Sequence, residues 1–178
     1  MTRKGSGVDR AGEVIACQCL STTLGPALVA ASDRGVCSLS FGTSETEVRT
    51  RFPQARLVAA DKEMRALFDR VHEAIERPNR RMNEIPIDIE GSDFQRRVWE
   101  ELRAIPPGQT RSYGQLAERL GMPGGARAVG GANRANRIAV LIPCHRVVQA
   151  DGSLGGYAWG REIKAELLRR EGYFDGDS

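Results

Sequence analysis

The sequence predicts an α/β half followed by a mainly helical half, with the boundary near Gly91. Three observations carry that reading. Strand-like runs lie between residues 13 and 41, and apolar residues recur at helical spacing from Met64. Two capping-box sequences then open short helices after Ser92. At 178 residues and 40% hydrophobic content, the chain can form one large domain or two small ones around a packed core.

Residues 1–12 begin basic and lead into no apolar stretch, so they read as a loose tail without a signal peptide. "EVIACQCL", "PALVAAS" and "GVCSLSF" follow, separated by turn chemistry at Leu24-Gly25-Pro26 and Asp33-Arg34-Gly35. This predicts a small antiparallel sheet of three strands. Cys17 and Cys19 stand two apart on one strand and share a face, where buried small hydrophobes are expected. "SETEVRTRF" offers Ser44 as a helix N-cap and Pro53 as a stop. "DKEMRALFDRVHEAIE" sets Met64, Leu67, Phe68, Val71 and Ile75 on one stripe beneath an Asp61 cap. His72 lies in that helix with no partner in view and reads as a structural or surface histidine. The polar, proline-containing stretch up to Gly91 closes an N-terminal unit of residues 13–91.

Residues 92–174 form the second unit, and 175–178 a short tail. Ser92 to Gln95 fits the S-x-x-Q capping box and opens a helix with Phe94, Val98, Trp99, Leu102 and Ile105 on its apolar face. A second box, Ser112 to Gln115, opens "YGQLAERLG". After the turn "MPGG" comes "ARAVGGANRAN". Two short helices around a tight Gly/Pro turn make the helix-turn-helix pattern. A buried apolar segment, the "PCHRV" turn, a Gly-rich loop and a last helix, "EIKAELLRREG", complete the unit.

Charge supports a nucleic-acid partner for this half. The net charge is only +3, yet from Arg111 to Arg146 six arginines face one acid, Glu118. No apolar run approaches the ~20 residues of a membrane span, which predicts a cytoplasmic protein with no membrane partner. The four cysteines (Cys17, Cys19, Cys37 and Cys144) and two histidines have no zinc-ligand spacing, so neither a metal nor a cofactor is expected.

"PCHRV" puts Cys144 directly beside His145. A cysteine acts as a nucleophile through its thiolate, which needs a base or a positive neighbour. Side chains adjacent in sequence diverge, so His145 is a poor direct partner, although one bridging water could relay the proton. A carboxylate beyond the ring would orient it. Glu171, in the last turn of a helix where the dipole disfavours it, is a candidate. On these residues alone, a buried structural cysteine is as good a reading as a reactive one.

Several motifs in order sharpen the choice. "SYGQLAERLG", "ARAVGGANRANRIAVLIPCHRVV", "GGYAWG" and "KAELLRREG" resemble the O6-alkylguanine-DNA alkyltransferases, the methylated-DNA–protein-cysteine methyltransferases. The "GYAWG" loop is most similar to the C-terminal half of the Ada-type adaptive-response members. The resemblance is strong from about Gly91 to Gly172 and looser over residues 13–90. It implies a ribonuclease H-like N-terminal unit, a winged-helix-like C-terminal one, and a monomer.

The same resemblance implies a one-use acceptor of alkyl groups, chiefly methyl, from O6 of guanine in double-stranded DNA. Cys144 would attack the alkyl carbon, His145 would take the thiol proton through water, and Glu171 would orient the ring. Asn136 matches the hinge between the second helix and the cysteine turn. Tyr113 would help to flip the nucleotide and donate to guanine N3. The carbonyls of Cys144 and Val147 would accept from the exocyclic amine, the Ala158 N–H would face O6, and Tyr157 would wall the pocket. Arg127 would fill the gap left by the extruded base. Ala126, Gly130, Gly131 and Arg134 lie on the helix that would enter the minor groove, where small residues fit and readout is degenerate.

Two departures stand out: Trp159 where some relatives have a small residue, and Asn133 where some have an apolar one. The bulky indole predicts a preference for methyl over benzyl adducts. No zinc ligands of the kind known in some N-terminal units are evident, and phosphotriester repair is not expected. The competing readings are an alkyltransferase-like DNA-binding or regulatory module without transfer, which the presence of Cys144 disfavours, and a cysteine hydrolase, for which no oxyanion-hole signature is found.

Overall fold

The computed structural model describes residues 10–174, so the expected C-terminal tail and most of the N-terminal one lie outside the described residues. Arg10, within that expected tail, is buried: its guanidinium pairs with Asp88 at 2.6 Å and Glu13 at 3.0 Å and lies over the Phe52 ring.

Strands β1 (Val14–Thr22), β2 (Gly25–Ser32) and β3 (Gly35–Phe41) form the expected antiparallel meander. The sheet is nevertheless four-stranded and mixed, which corrects the expectation of three antiparallel strands. After helix α1 (Glu45–Arg51), strand β4 (Arg56–Ala59) joins β1 in parallel and completes the order β3-β2-β1-β4. Its four residues are too few for a period-2 pattern to show, and α1 supplies the crossover that a parallel pair requires. Helix α2 (Lys62–Glu76) packs Phe68, Val71, Ala74 and Ile75 inward, and the Asp61 carboxylate accepts from the Met64 N–H at 2.8 Å. Ser44 occupies the N-cap position of α1 without a side-chain cap bond. His72 hydrogen-bonds the Ser21 carbonyl at 2.9 Å and so ties α2 to β1, away from the cysteine turn.

The other face of the sheet carries a small second cluster of Ile15, Leu28, Ala30, Cys37, Val48 and Phe52. Cys17 is half-buried at its edge and Cys19 is exposed, so the expectation that both are core residues fails. The reason is the length of α1: seven residues cover only one end of that face.

Helix α3 (Asp93–Arg103) and helix α4 (Tyr113–Arg119) each begin with a complete capping box, at Ser92/Gln95 and Ser112/Gln115. Helix α5 (Ala126–Arg134) follows the Gly/Pro turn. The Trp99 indole donates to the Ala132 carbonyl at 2.9 Å, joining α3 to α5. Helix α6 (Arg161–Arg170) closes the chain, and one hydrophobic cluster runs from the sheet through α3, α4 and α5 to Leu167.

Two backbone connections position the cysteine turn. Leu39 of β3 exchanges hydrogen bonds with Arg137 and Ala139, so the sheet edge carries the segment leading to Cys144. Strands β5 (Arg111–Ser112) and β6 (Val147–Val148) pair in parallel and lock the start of α4 beside the exit of the turn.

Candidate active site

Cys144–Arg146 form a single 3-10 turn between an apolar segment and β6. Ile138 to Ile142 are fully buried, and within them Val140 holds φ +66, a left-handed conformation costly for a β-branched residue. Asn136 holds this bend together. Its Oδ1 accepts from the Ile138 N–H at 2.9 Å. Its Nδ2 donates to the Ile142 carbonyl at 2.9 Å and to the Cys144 sulfur at 3.2 Å.

The sulfur lies at the floor of a cleft of about 900 Å³ and is 4% exposed. The walls come from three elements. The start of α4 supplies Tyr113, and α5 supplies Ala126, Arg127, Gly130, Gly131, Asn133 and Arg134. The loop before α6 supplies Tyr157, Ala158 and Trp159. The Tyr113 ring lies against Gly130, where the missing side chain allows the approach. Trp159 meets Tyr157 edge-on at 5.2 Å between centroids. Asn136 and Cys144 complete the lining among the expected residues, and Gly114, Gln149, Ala150 and Gly156 add to it.

His145, Val147 and Glu171 lie behind this surface. His145 is fully buried with Nε2 2.8 Å from Glu171 Oε1. Burial raises the Glu171 pKa, but the hydrogen bonds and charges of His145 and Arg146 outweigh it and hold the carboxyl down at about 2. An ionised carboxylate only accepts, so the proton on Nε2 is fixed. Burial also lowers the His145 pKa against the opposing pull of Glu171, which favours the neutral ring. The neutral ring then carries its lone pair on Nδ1, a buried atom with no protein partner among the described residues.

Burial pushes the Cys144 thiol up to about 11, although the Asn136 hydrogen bond and the Lys164 charge oppose it. Roughly one molecule in 10⁴ would hold a thiolate at pH 7, so transfer needs a proton acceptor at hand. The Tyr157 hydroxyl is near enough for it and the thiol to shift each other's titration, but it is not aligned for a hydrogen bond with any described group.

Sequence reasoning missed two buried cations. Arg146 is 1% exposed and grips Glu171 through Nε at 3.0 Å and Nη2 at 2.8 Å, while Nη1 donates to the Ile105 carbonyl. Its place inside "PCHRV", with Glu171 already a candidate partner, was the available signal. Lys164, on α6, donates to the carbonyls of Val147, Leu154 and Gly156. No feature of the sequence pointed to it. Gly108, at φ +81, lets the loop after α3 pack on the Glu171 carbonyl, which a Cβ there would meet at 2.8 Å. Among the described residues, no cluster of three or more His, Cys, Asp or Glu side chains is placed to hold a metal ion.

Comparison with known proteins places this geometry in a family. The pattern of the 6-O-methylguanine DNA methyltransferase DNA-binding domain matches residues 93–173. The bifunctional transcriptional activator/DNA repair enzyme Ada of Escherichia coli is 46% identical over 155 residues, which cover 83% of this chain and 43% of Ada. The chain spans less than half the length of the first curated relatives that it matches. Among solved structures, the O6-methylguanine methyltransferase of Mycobacterium tuberculosis superposes with a TM-score of 0.71 at 35% identity, covering 88% of this chain and 92% of that one. The M. tuberculosis OGT structure in complex with DNA gives a TM-score of 0.70 at 33% identity over 89% and 92%. With this fold, these motifs and a relative matched over nearly its whole length, the chain belongs to the O6-methylguanine-DNA methyltransferase family.

Proposed function

We propose that the chain repairs DNA by direct reversal, moving an alkyl group, chiefly methyl, from O6 of guanine in duplex DNA to Cys144. The observation that carries this reading is a buried thiol at the floor of an open cleft, backed by a histidine whose free nitrogen is fixed by an ionised glutamate. The cleft is large enough for an extruded base, which an acceptor this deep requires. Arg127 near the N-terminus of α5 is placed to fill the stack, and the small residues of α5 suit a minor groove.

In the reaction, the Cys144 proton passes through a bridging water to His145 Nδ1. The sulfur attacks the methyl carbon as the carbon–O6 bond breaks, and the electron pair leaves with the guanine. Donation from Tyr113 to N3 offsets the charge that develops on the purine. The exocyclic amine meets the Cys144 and Val147 carbonyls, and the Ala158 N–H faces O6. The product is a thioether, a poor leaving group, so each molecule reacts once. We assign the same reading its finer features: a ribonuclease H-like unit over 13–91, a winged-helix-like unit over 92–174, a monomer, and a cytoplasmic protein. No helix among the described residues is long and apolar enough to cross a membrane.

The test is incubation with duplex DNA carrying a labelled O6-methylguanine. One label per protein should appear on Cys144, and Cys144→Ser should bind the duplex without taking it. Repeated turnover, or binding without transfer by the unaltered chain, overturns the reading.

Trp159, stacked on Tyr157 at the cleft wall, narrows the space beside the sulfur. Free O6-benzylguanine at low micromolar concentration should leave Cys144 unmodified, and Trp159→Gly should open the site to it. Mass spectrometry of the intact protein reads both results.

A further inference from the structure

Lys164 is 1% exposed, and among the described residues no carboxylate forms an ion pair with it. A buried charge without a counterion is costly. An apolar side chain of the same length would fill the space without that cost, so stability alone does not account for the ammonium. Its compensation is three carbonyl oxygens: Val147 at 2.6 Å, Leu154, and Gly156 at 3.4 Å. The chain has 23 arginines and only three lysines. A guanidinium, with its donors spread in a plane, cannot direct three from one nitrogen onto convergent acceptors.

The three carbonyls belong to parts of the cleft that are otherwise separate. Leu154 and Gly156 immediately precede Tyr157, Ala158 and Trp159, which make one wall. Val147 leaves the cysteine turn and pairs with Arg111, which fixes the start of α4 and so Tyr113. We infer that Lys164 is a positioning residue for alkyl transfer: its ammonium pins the loop wall to the strand leaving the cysteine turn and holds a positive charge toward the sulfur. The inference rests on the proposed transfer reaction and deepens it.

The charge on the sulfur is consistent with this placement, because Lys164 opposes the upward push of burial on the Cys144 thiol. Burial lowers the Lys164 pKa to about 8. The Cys144 charge raises it, and Arg161 on its own helix lowers it further. From the cysteine turn, His145 feels the same cation, which helps to keep its ring neutral. As pH rises through about 8, the ammonium loses a proton, one of its three donors and its charge.

The experiment uses the full chain, with Lys164→Met and Lys164→Arg. It follows three quantities: duplex affinity, the single-turnover transfer rate at saturating O6-methylguanine duplex, and iodoacetamide labelling of Cys144 from pH 6.5 to 9.5 by peptide mass spectrometry. Lys164→Met should bind within about threefold of the unaltered chain and transfer at least about tenfold more slowly, the scale of a small misplacement of reacting groups. Its Cys144 labelling should move to higher pH. Lys164→Arg should keep the labelling profile but not the transfer rate. The unaltered chain should lose transfer rate as pH rises through about 8, with that limb missing in Lys164→Met. Overturning results are a Met variant that transfers at the original rate, or one whose loss lies wholly in duplex affinity with an unchanged labelling profile. Should Lys164→Met not fold, a transfer rate in the unaltered chain that stays flat to pH 9.5 overturns the inference. Absence of transfer by the unaltered chain overturns the proposed reaction instead, and the labelling profiles still decide whether Lys164 acts on the sulfur.

Discussion

Glu171→Gln should remove nearly all methyl transfer while leaving duplex binding intact. The carboxylate accepts three hydrogen bonds, from His145 Nε2, Arg146 Nε and Arg146 Nη2. An amide has one accepting oxygen and one donating nitrogen. Facing Arg146, the NH2 group would set donor against donor. Facing His145, it would require a lone pair on Nε2 and move the ring proton to Nδ1, where it blocks uptake from the thiol. Either orientation loses the base, and a wrong histidine tautomer costs about 10³- to 10⁴-fold in rate. Glu171 does not line the cleft, so DNA affinity should hold. Single-turnover transfer and a binding isotherm on the same preparation separate the two effects.

Glu171→Ala should add a stability loss, because Arg146 would keep a buried charge with no carboxylate. Breaking a buried pair in this way costs about 3–5 kcal/mol. The pH dependence has a definite sign. The folded carboxyl titrates at about 2 against an ordinary value of 4.5. Its contribution is therefore fully present above about pH 4.5 and is lost as pH falls toward 2. Chemical denaturation between pH 6 and 3 should show that loss in the unaltered chain and a shallower one in Glu171→Ala.

Local chemistry made much of the fold legible. The two capping boxes, the Asp61 cap and the helical stripe of α2 each depend on residues within one turn of one another, and each is present. Strand β4 escaped because four residues set by a parallel partner carry no periodicity of their own. Cys19 was misread because face-sharing says which residues lie together, not whether a helix reaches far enough to cover them. At the site, Tyr113, Asn133 and Trp159 converge on Cys144 through the β5–β6 pair and the loop before α6, connections that no local pattern encodes. Lys164 is the extreme case. Its partners are backbone carbonyls 8 to 17 positions away, and a carbonyl leaves no mark in a sequence. Val140 is similar, since nothing in "RIAVLIPC" requires a β-branched residue at φ +66.

That strained bend makes Asn136→Ala the second large effect. The carboxamide satisfies the Ile138 N–H and the Ile142 carbonyl, both inside a fully buried segment, and removing it leaves both unpaired. Each orphaned buried group costs roughly 1–3 kcal/mol, and the left-handed Val140 stores a further ~1–3 kcal/mol held in place by the same bonds. For a chain of this length, about 2–5 kcal/mol corresponds to a fall of roughly 5–15 °C in Tm. Relaxation of the bend would displace Cys144, two residues beyond Ile142. The sulfur would also lose the one side-chain donor that its thiolate has in the free protein. Transfer should drop at least ~10²-fold, a size expected when reacting groups shift by about 1 Å. Iodoacetamide labelling of Cys144 should move to higher pH, because the strongest influence opposing burial of the thiolate is gone. A variant with unchanged Tm but slower transfer would make Asn136 a partner of the sulfur only. Equal losses in Tm and transfer rate, without a shift in the labelling profile, would make it a strut for the bend only. The three bonds predict that both readouts move together.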